Sequence, residues 1–210
     1  MNQSINGLYI ITDKKLIPRE NFTDKVEQAI RGGAKVVQLR EKQVNTKEIC
    51  ELGRNILEIT RKYNVPLIIN DYVDIALELG ADGVHLGEND PEIKFARMKL
   101  GKNKIIGVSC YDSLERGESA VEQGADYIVF GTPYYTPTKP DRKPTPIETL
   151  IEACRKFPNT TIFAIGGITE DNAQEIIDTG VDGIAAITSI FGEGSPEENA
   201  SKLSVFFKND

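Results

Sequence analysis

Short runs of apolar residues, many of them β-branched, alternate along the chain with longer amphipathic segments. The runs are apolar at successive positions, which is typical of strands covered on both faces of a parallel sheet. Eight of them are found, at residues 8–11, 36–39, 67–69, 83–86, 105–108, 127–130, 162–165 and 184–187. Segments with a helical period of apolar positions lie between them, at residues 26–30, 49–59, 75–79, 91–100, 114–121, 147–153, 173–177 and 203–207. The pattern therefore predicts alternating strands and helices.

A glycine followed by a short entry sequence precedes four of these strands. Residues 33–35 read Gly-Ala-Lys, 80–82 and 124–126 read Gly-Ala-Asp, and 180–182 read Gly-Val-Asp. Glycine at such a position supplies the left-handed residue that ends a helix. The recurrence indicates a repeated β/α unit with irregular spacing, which favours a barrel over a solenoid.

Eight β/α units in 210 residues predict an α/β protein, a single (β/α)8 TIM barrel that occupies residues 1–210 as one domain. An open doubly wound sheet is the alternative. It is disfavoured because no Gly-x-Gly-x-x-Gly sequence follows the first predicted strand.

Composition narrows the class of partner. The net charge of −7 argues against a general nucleic-acid or anionic-membrane binder. Three widely spaced cysteines suggest a reducing cytoplasm rather than a disulfide framework. The first residues lack an apolar signal-type core, and no apolar run is long enough to span a bilayer. We expect a cytoplasmic protein with small-molecule partners, and the sequence leaves a homo-oligomer open.

The stretch 130–139, Phe-Gly-Thr-Pro-Tyr-Tyr-Thr-Pro-Thr-Lys, follows the sixth predicted strand. Its prolines fix the backbone and remove donors, so it is predicted to be a stiff loop. Its hydroxyls and amine suit an oxyanion. An ordinary surface turn is the alternative.

Polar residues also follow the second strand, where the sequence reads Gln38-Leu39-Arg40-Glu41-Lys42. Alternation points Gln38, Arg40 and Lys42 in the same direction, towards the mouth of the predicted barrel. Two adjacent cations in an acidic protein imply an anion that carries more than one charge. A salt bridge from Arg40 to a neighbouring carboxylate is the alternative.

Two carboxylates, Asp71 and Asp90, follow the third and fourth strands. Facing a cationic patch, they suit a Mg²⁺ ion held largely through water and substrate phosphate. Helix capping is the alternative for each, because Asp71 precedes a helix and Asp90 precedes Pro91.

The remaining strand ends carry smaller groups. Ser109 offers a hydroxyl contact to a substrate, whereas its neighbour Cys110 is expected to be a packed thiol, because no nearby base is evident. The pair Gly166-Gly167 and the hydroxyls Thr188-Ser189 follow the last two strands, where barrels often bind a phosphate monoester. The single histidine, His85, lies in an apolar strand. A hydrogen-bonded interior role is favoured for it over that of a general base.

The mouth thus offers a cationic, metal-assisted site for a diphosphate and a neutral, glycine-lined site for a monophosphate. A diphosphate is a good leaving group when metal and lysines hold it. The predicted chemistry is transfer of an electrophilic carbon from a diphosphate to a nucleophile on a phosphorylated second substrate.

The ordered set of strand-end motifs resembles the thiamine-phosphate synthase family over nearly the whole chain. The motifs are residues 38–42, Asn70-Asp71, residues 83–87 with Asp90, residues 136–140 and residues 165–168. The resemblance implies a (β/α)8 barrel that joins hydroxymethylpyrimidine diphosphate to thiazole phosphate, with release of pyrophosphate. It also implies a dissociative mechanism, in which a pyrimidine carbocation is captured by the thiazole nitrogen and no protein base is required.

The resemblance implies residue roles as well. Those expected to bind the pyrimidine diphosphate are Gln38, Leu39, Arg40, Glu41, Lys42, Asn70, Ser109 and Lys139, and Arg40, Lys42, Ser109 and Lys139 are the catalytic candidates. Those expected to bind thiazole phosphate are Thr136, Pro137, Thr138, Gly167, Ile187 and Thr188. Asp71 and Asp90 are the expected Mg²⁺ ligands.

The chain departs from the family pattern at several positions. Thr188 stands where serine is usual, Glu88 where glutamine is common, Tyr111 where histidine is common, and Thr145-Pro146 where glycine is usual. These changes bear on substrate affinity rather than reaction class. The rival functions are a thiazole tautomerase on the same barrel and a barrel that binds a phosphorylated ligand without catalysis.

Overall fold

The computed structural model describes residues 5–42, 45–136, 138 and 142–207. Parallel strands alternate with helices and close on themselves in the order β1 to β8. The strands are β1 Gly7–Ile11, β2 Val36–Leu39, β3 Leu67–Asn70, β4 Gly83–Leu86, β5 Ile105–Tyr111, β6 Tyr127–Gly131, β7 Thr161–Ile165 and β8 Gly183–Ala186. The predicted (β/α)8 barrel is confirmed.

The helices surround this barrel. Their bounds are α1 Phe22–Arg31, α2 Thr46–Lys62, α3 Val73–Leu79, α4 Ile93–Leu100, α5 Leu114–Glu122, α6 Ile147–Lys156, α7 Ala173–Ile177, α8 Thr188–Phe191 and α9 Pro196–Ser204, with 3₁₀ turns at Arg19–Asn21 and Val205–Phe207. Within the described ranges, none of the helices combines the length and apolar character that a bilayer crossing requires.

The core has two layers because successive strand residues point to opposite faces. Leu8, Ile10 and Val37 are among the residues that pack outward against the helices. Tyr9, Ile11, Ile68, Tyr127 and Phe163 point inward and belong to a separate cluster that fills the barrel. The barrel centre is therefore a packed core, and the open space lies at one end.

The repeated Gly-Ala/Val-Asp entry has a structural reason at the amino ends of the strands. Asp82, Asp126 and Asp182 precede β4, β6 and β8, and each carboxylate accepts from the first or second backbone N–H of the preceding strand. The donors are the backbone N–H groups of Leu67, Ile106 and Ile162, respectively, each at 2.8 Å from the carboxylate oxygen. The repeat thus ties neighbouring strands together at the end opposite the predicted site.

Several element bounds differ from the sequence pattern. The closing helix, predicted at 203–207, is α9 Pro196–Ser204 followed by the 3₁₀ turn Val205–Phe207. β5 extends three residues beyond the predicted 105–108, and its pairing with β6 shifts register between Ser109 and Tyr111. α4 begins at Ile93 rather than at Pro91, because Glu92 is still extended, with ψ 149°.

Candidate active site

A cavity opens at the carboxyl ends of the strands, where the sequence predicted the site. Its apolar wall includes Ile11, Val129, Ile165 and Ala185, which continue the inward-facing layer of the barrel. The predicted site residues whose side chains or backbone line it are Gln38, Arg40, Asn70, Ser109, Thr136, Thr138, Gly167, Ile187 and Thr188. The fold therefore brings together groups that are far apart in the chain.

The β2 side of the cavity carries its cationic and amide groups. Arg40 lines the cavity, and one guanidinium nitrogen lies 3.4 Å from a carboxylate oxygen of Asp13. The salt bridge considered as an alternative is thus formed, but a guanidinium has five N–H donors, and the remaining ones can serve a ligand. Asn70 ends β3, and Ser109 sits just before the irregularity in β5.

Lys42, Asp71 and Asp90 form a chain of charges beside the cavity. The Lys42 ammonium lies 3.6 Å from Asp71, whose pKa is raised by burial and by a hydrogen bond with Asp90. Asp71 itself has a positive φ of 67°, a conformation that aspartate tolerates better than most residues. Asp90 Oδ2 accepts from the Gly87 N–H at 2.6 Å.

Neither carboxylate caps a helix, contrary to the alternative considered for them. Tyr72 is the N-cap residue of α3 and Glu92 that of α4, and neither cap is made by a side-chain hydrogen bond. Two carboxylates held together, one with a raised pKa, are stabilised by a cation. This donor set fits Mg²⁺, which often uses only one or two protein carboxylates with water and substrate phosphate. Among the described residues, no cluster of three or more His, Cys, Asp or Glu forms a complete protein cage.

Three of the contacts expected for the pyrimidine diphosphate, Leu39, Glu41 and Lys42, are not among the residues that line the cavity. The Leu39 side chain packs in the outer core, and the Glu41 side chain is buried. Alternation explains both positions, since these residues point away from Gln38, Arg40 and Lys42. Pro137 and Lys139 lie outside the described residues.

The opposite side of the cavity combines the β6 loop with the ends of β7 and β8. Thr136 and Thr138 come from the loop, Gly167 from the turn after β7, and Thr188 from the start of α8. Gly166 and Gly167 have φ values of 120° and 64°, which residues other than glycine rarely adopt. The Thr132 hydroxyl donates to the Gly166 carbonyl, which fixes the loop against this turn.

Sequence reasoning described this side as neutral, and that expectation is wrong because Arg142 lines the cavity there. Its guanidinium occupies space that a side chain at Gly131 or Gly166 would take, since Cβ atoms there would lie 2.0 and 2.7 Å from its terminal nitrogens. It donates to the Thr132 and Tyr134 carbonyls at 2.7 and 3.2 Å.

The Arg142 charge is only partly compensated. Its Nε is buried without a hydrogen-bond partner in the described part of the chain. Burial lowers its pKa, and the carboxylate of Asp112 opposes that effect. Asp112 itself pairs with Lys143 at 3.3 Å. No sequence motif marked Arg142, although its place in a proline-rich stretch after the threonines was a usable signal.

His85 has the hydrogen-bonded interior role that the sequence favoured. Its ring nitrogens lie 3.0 Å from the Tyr127 hydroxyl and 2.9 Å from that of Ser109. Tyr127 in turn contacts the Tyr9 hydroxyl at 2.8 Å. Sequence reasoning missed the two tyrosines, which look like ordinary core residues. Cys110 is fully buried and burial raises its pKa to about 12, so it is a packed thiol as expected.

The fold and cavity together define a class: a barrel enzyme with a small-molecule site at the carboxyl ends of its strands. Comparison with known proteins gives the family. The family model described as thiamine monophosphate synthase matches residues 8–190. The chain belongs to this thiamine-phosphate synthase family.

Individual relatives agree with this assignment over most of their lengths. The thiamine-phosphate synthase of Alkaliphilus oremlandii is 42% identical over 202 residues, which cover 96% of both chains. That of Clostridium novyi is 45% identical over 184 residues, covering 87% of this chain and 89% of the relative. The structure of thiamine phosphate pyrophosphorylase from Pyrococcus furiosus is 37% identical, with a TM-score of 0.85 over 94% of this chain and 93% of that one.

Proposed function

We propose that this barrel transfers the hydroxymethylpyrimidine group from its diphosphate to the nitrogen of thiazole phosphate, in a Mg²⁺-dependent reaction that yields thiamine phosphate and pyrophosphate. The observation that carries the proposal is the two-sided cavity. One side gathers Arg40, Asn70 and Ser109 near the Lys42–Asp71–Asp90 chain, and the other gathers threonines, a glycine turn and Arg142. Two phosphorylated substrates can therefore meet in one space.

The diphosphate belongs on the β2 side. Arg40 and Lys42 supply positive charge, and Asn70 and Ser109 supply neutral donors at the same rim. Donors that are fixed before the reaction stabilise charge that develops on a leaving group. These residues thus favour departure of pyrophosphate more than binding of the intact substrate.

Asp71 and Asp90 would hold the Mg²⁺ ion. When bound, the ion would neutralise charge on the diphosphate oxygens. The Lys42 ammonium lies 3.6 Å from the Asp71 carboxylate, so it would be positioned beside both the carboxylate pair and the expected diphosphate.

The apolar wall would surround the pyrimidine carbocation that remains after pyrophosphate has left. Ile11, Val129, Ile165 and Ala185 enclose space in which the pyrimidine ring can lie with little water. Exclusion of water protects a carbocation from hydrolysis. The described lining residues include no carboxylate to act as a base, and the thiazole nitrogen needs none because its lone pair attacks directly.

Thiazole phosphate belongs on the other side, between the β6 loop and the turns after β7 and β8. Thr136, Thr138 and Thr188 offer hydroxyl donors, and Gly167 allows close approach of the backbone. Anchoring the phosphate there directs the ring towards the centre of the cavity. Holding two reactants in one orientation lowers the entropic part of the barrier.

The decisive experiment mixes the purified protein with both substrates and Mg²⁺ and follows pyrophosphate and thiamine phosphate. Release of both products supports the synthase function. Aromatisation of the thiazole without pyrophosphate release would indicate the tautomerase, and binding without turnover would indicate a sensor or carrier. We expect the reaction to run on small molecules in a reducing cytoplasm.

A Lys139 variant tests whether the two sides of the cavity bind different substrates. The family resemblance assigns its ammonium to the diphosphate. Lys139→Ala is therefore expected to cripple the diphosphate step while thiazole phosphate still binds. Calorimetry with each substrate checks this, and an equal loss of affinity for both would contradict the division.

A further inference from the structure

A continuous chain of hydrogen bonds crosses the barrel beneath the cavity. The Gln38 amide nitrogen lies 2.6 Å from the Tyr9 hydroxyl, which lies 2.8 Å from that of Tyr127. Tyr127 then reaches His85 Nδ1 at 3.0 Å, and His85 Nε2 reaches Ser109 at 2.9 Å. The chain begins and ends at residues that line the cavity, on β2 and β5.

The two tyrosines are well suited to fix the direction of hydrogen-bond donation along this chain. Both are fully buried, and burial raises the pKa of each phenol, so each keeps its single proton. Their rings are fixed by edge-on packing against Phe163, at centroid distances of 5.2 and 5.6 Å. Tyr127 also lies over Gly107, where a Cβ would be 1.9 Å from its ring.

Proton accounting gives every bond a direction. The Gln38 N–H donates to Tyr9. Either phenol of the Tyr9–Tyr127 pair can donate, but only donation from Tyr9 to Tyr127, and from Tyr127 to Nδ1 of His85, keeps both buried phenol protons within the chain. Nδ1 then carries a lone pair, and the imidazole proton must be on Nε2. That proton is donated to Ser109, whose own hydroxyl proton remains for the cavity.

We infer that this chain acts as a polarity relay: it fixes His85 as the Nε2–H tautomer, and it presents an acceptor at Gln38 and a donor at Ser109. Tyr9, Tyr127 and His85 are positioning residues, since they act through the two ends. A substrate is then recognised when it offers a donor to the Gln38 carbonyl and an acceptor to Ser109.

The two ends are coupled because the relay can reverse only as a whole. If the Gln38 amide turned over, each proton along the chain would switch sides, and Ser109 would donate to His85 instead of to a ligand. Ser109 would then present lone pairs to the diphosphate, which is unfavourable. The kinetic part of this inference rests on the proposed synthase function, whereas the tautomer does not.

The tautomer can be measured directly because His85 is the only histidine in the chain. Long-range ¹H–¹⁵N correlation spectra of the ¹⁵N-labelled wild-type protein distinguish a protonated ring nitrogen from one with a lone pair. We expect a protonated Nε2 and an unprotonated Nδ1. A protonated Nδ1, alone or together with Nε2, would overturn the relay direction, whether or not the protein makes thiamine phosphate.

Variants test whether the relay acts on substrate recognition. Tyr127→Phe keeps the ring and removes the link, so KM for the pyrimidine diphosphate should rise roughly fivefold, the effect of about one hydrogen bond. KM for thiazole phosphate should stay within about twofold of wild type, because its side of the cavity has no member of the relay. Tyr9→Phe should act in the same way and replaces Tyr127→Phe if that variant folds poorly.

Tyr63→Phe is the matched control. It removes a hydroxyl that donates to Glu27 at 2.9 Å on the outer surface, away from the barrel interior. It should leave both KM values unchanged. Equal changes in the two KM values for Tyr127→Phe, or no change in either, would refute a role in recognition even if the tautomer is as expected.

Discussion

At the scale of single residues, Glu41 is poorly matched to its surroundings. It is 4% exposed, and its Oε1 is buried without a hydrogen-bond partner among the described residues. Burial and the nearby carboxylate of Asp13 raise its pKa from 4.5 to about 7. The family resemblance predicts all of residues 38–42 as binding residues, whereas strand alternation separates Glu41 from Arg40. Its burial depends on tertiary contacts that the sequence does not show.

Glu41 makes stability depend on pH in a definite direction. Between its unfolded pKa of 4.5 and its folded pKa of about 7, the folded state binds more protons than the unfolded state. The free energy of unfolding therefore falls as pH rises through this window. Since one pKa unit is worth about 1.4 kcal/mol, the loss should be roughly 2–3 kcal/mol.

Urea unfolding of Glu41→Gln and wild type at pH 5 and pH 8 measures this effect. The stability of the Gln variant relative to wild type should increase between the two pH values by roughly that amount. Glu122→Gln, at an exposed position of α5, is the control and should show no such change. A constant difference between Glu41→Gln and wild type would disprove the raised pKa.

Arg142 is a second residue whose role depends on tertiary placement. Its partly compensated guanidinium lines the side of the cavity proposed for thiazole phosphate. Arg142→Gln should weaken thiazole phosphate binding about tenfold or more, because hydrogen bonds and charges at a phosphate are worth roughly 1.5–3 kcal/mol. Binding of the pyrimidine diphosphate should change much less.

Isothermal calorimetry with each substrate checks this expectation. Lys143→Gln is the matched control, since the Lys143 side chain is 83% exposed and its ammonium pairs with Asp112. If Arg142→Gln weakens both substrates equally, the guanidinium serves only to hold the loop. If it weakens neither, the charge has no part in binding.

At the scale of elements, the strands were predictable and the loops were not. Largely apolar runs marked all eight strands, because strands covered on both faces carry few polar positions to interrupt the pattern. The register shift in β5 gave no such signal. It leaves Tyr111 with a φ of 58°, and the Ser109 carbonyl accepts from Arg116 at 2.6 Å. These contacts join residues whose proximity only the folded chain creates.

The β6 loop illustrates the same limit. Its prolines predicted a stiff segment, but its anchors are side chains that sequence reasoning did not connect to it. Tyr134 donates to Glu175 at 2.5 Å, and Arg142 bonds to the Thr132 and Tyr134 carbonyls. The loop that carries Thr136 and Thr138 is thus held by α7 and by its own carboxyl-terminal part. The loop sequence alone does not predict an anion site. That prediction depends on the position of the loop at the carboxyl end of a barrel strand.

The repeated aspartate is an element whose role can be tested separately from activity. Asp182 accepts from the Ile162 N–H at the amino end of β7. Asp182→Ala leaves that donor unpaired at a partly buried position, so the free energy of unfolding should fall by about 1–3 kcal/mol. KM for both substrates should be unchanged, because this end of the barrel is opposite the cavity.

Urea unfolding and steady-state kinetics on the same preparation provide the measurement. Asp171→Ala, at an exposed position before α7, should leave the free energy of unfolding unchanged. A loss of affinity with unaltered stability in Asp182→Ala would reverse the assignment of the two barrel ends.

At the scale of the whole molecule, both proposed anion sites belong to one closed barrel, so either ligand should stabilise the entire fold. A ligand present at 100 times its Kd adds about 2.7 kcal/mol to the stability of the native state. For a domain of 210 residues, that shift should raise Tm by roughly 5–10 °C. The two sites differ in their expected dependence on metal, because only the β2 side has the carboxylate pair.

Chelation of the metal should therefore distinguish the two proposed anion sites in a thermal-unfolding experiment. Pyrophosphate with Mg²⁺ should raise Tm, and excess EDTA should remove most of that increase, because Asp71 and Asp90 would otherwise repel the anion. Thiazole phosphate should raise Tm equally with and without EDTA. Asp90→Asn is the informative variant: it should abolish the Mg²⁺-dependent part of the pyrophosphate shift and leave the thiazole phosphate shift intact. An EDTA-sensitive thiazole phosphate shift, or a pyrophosphate shift that survives both EDTA and Asp90→Asn, would place the metal elsewhere than on this pair.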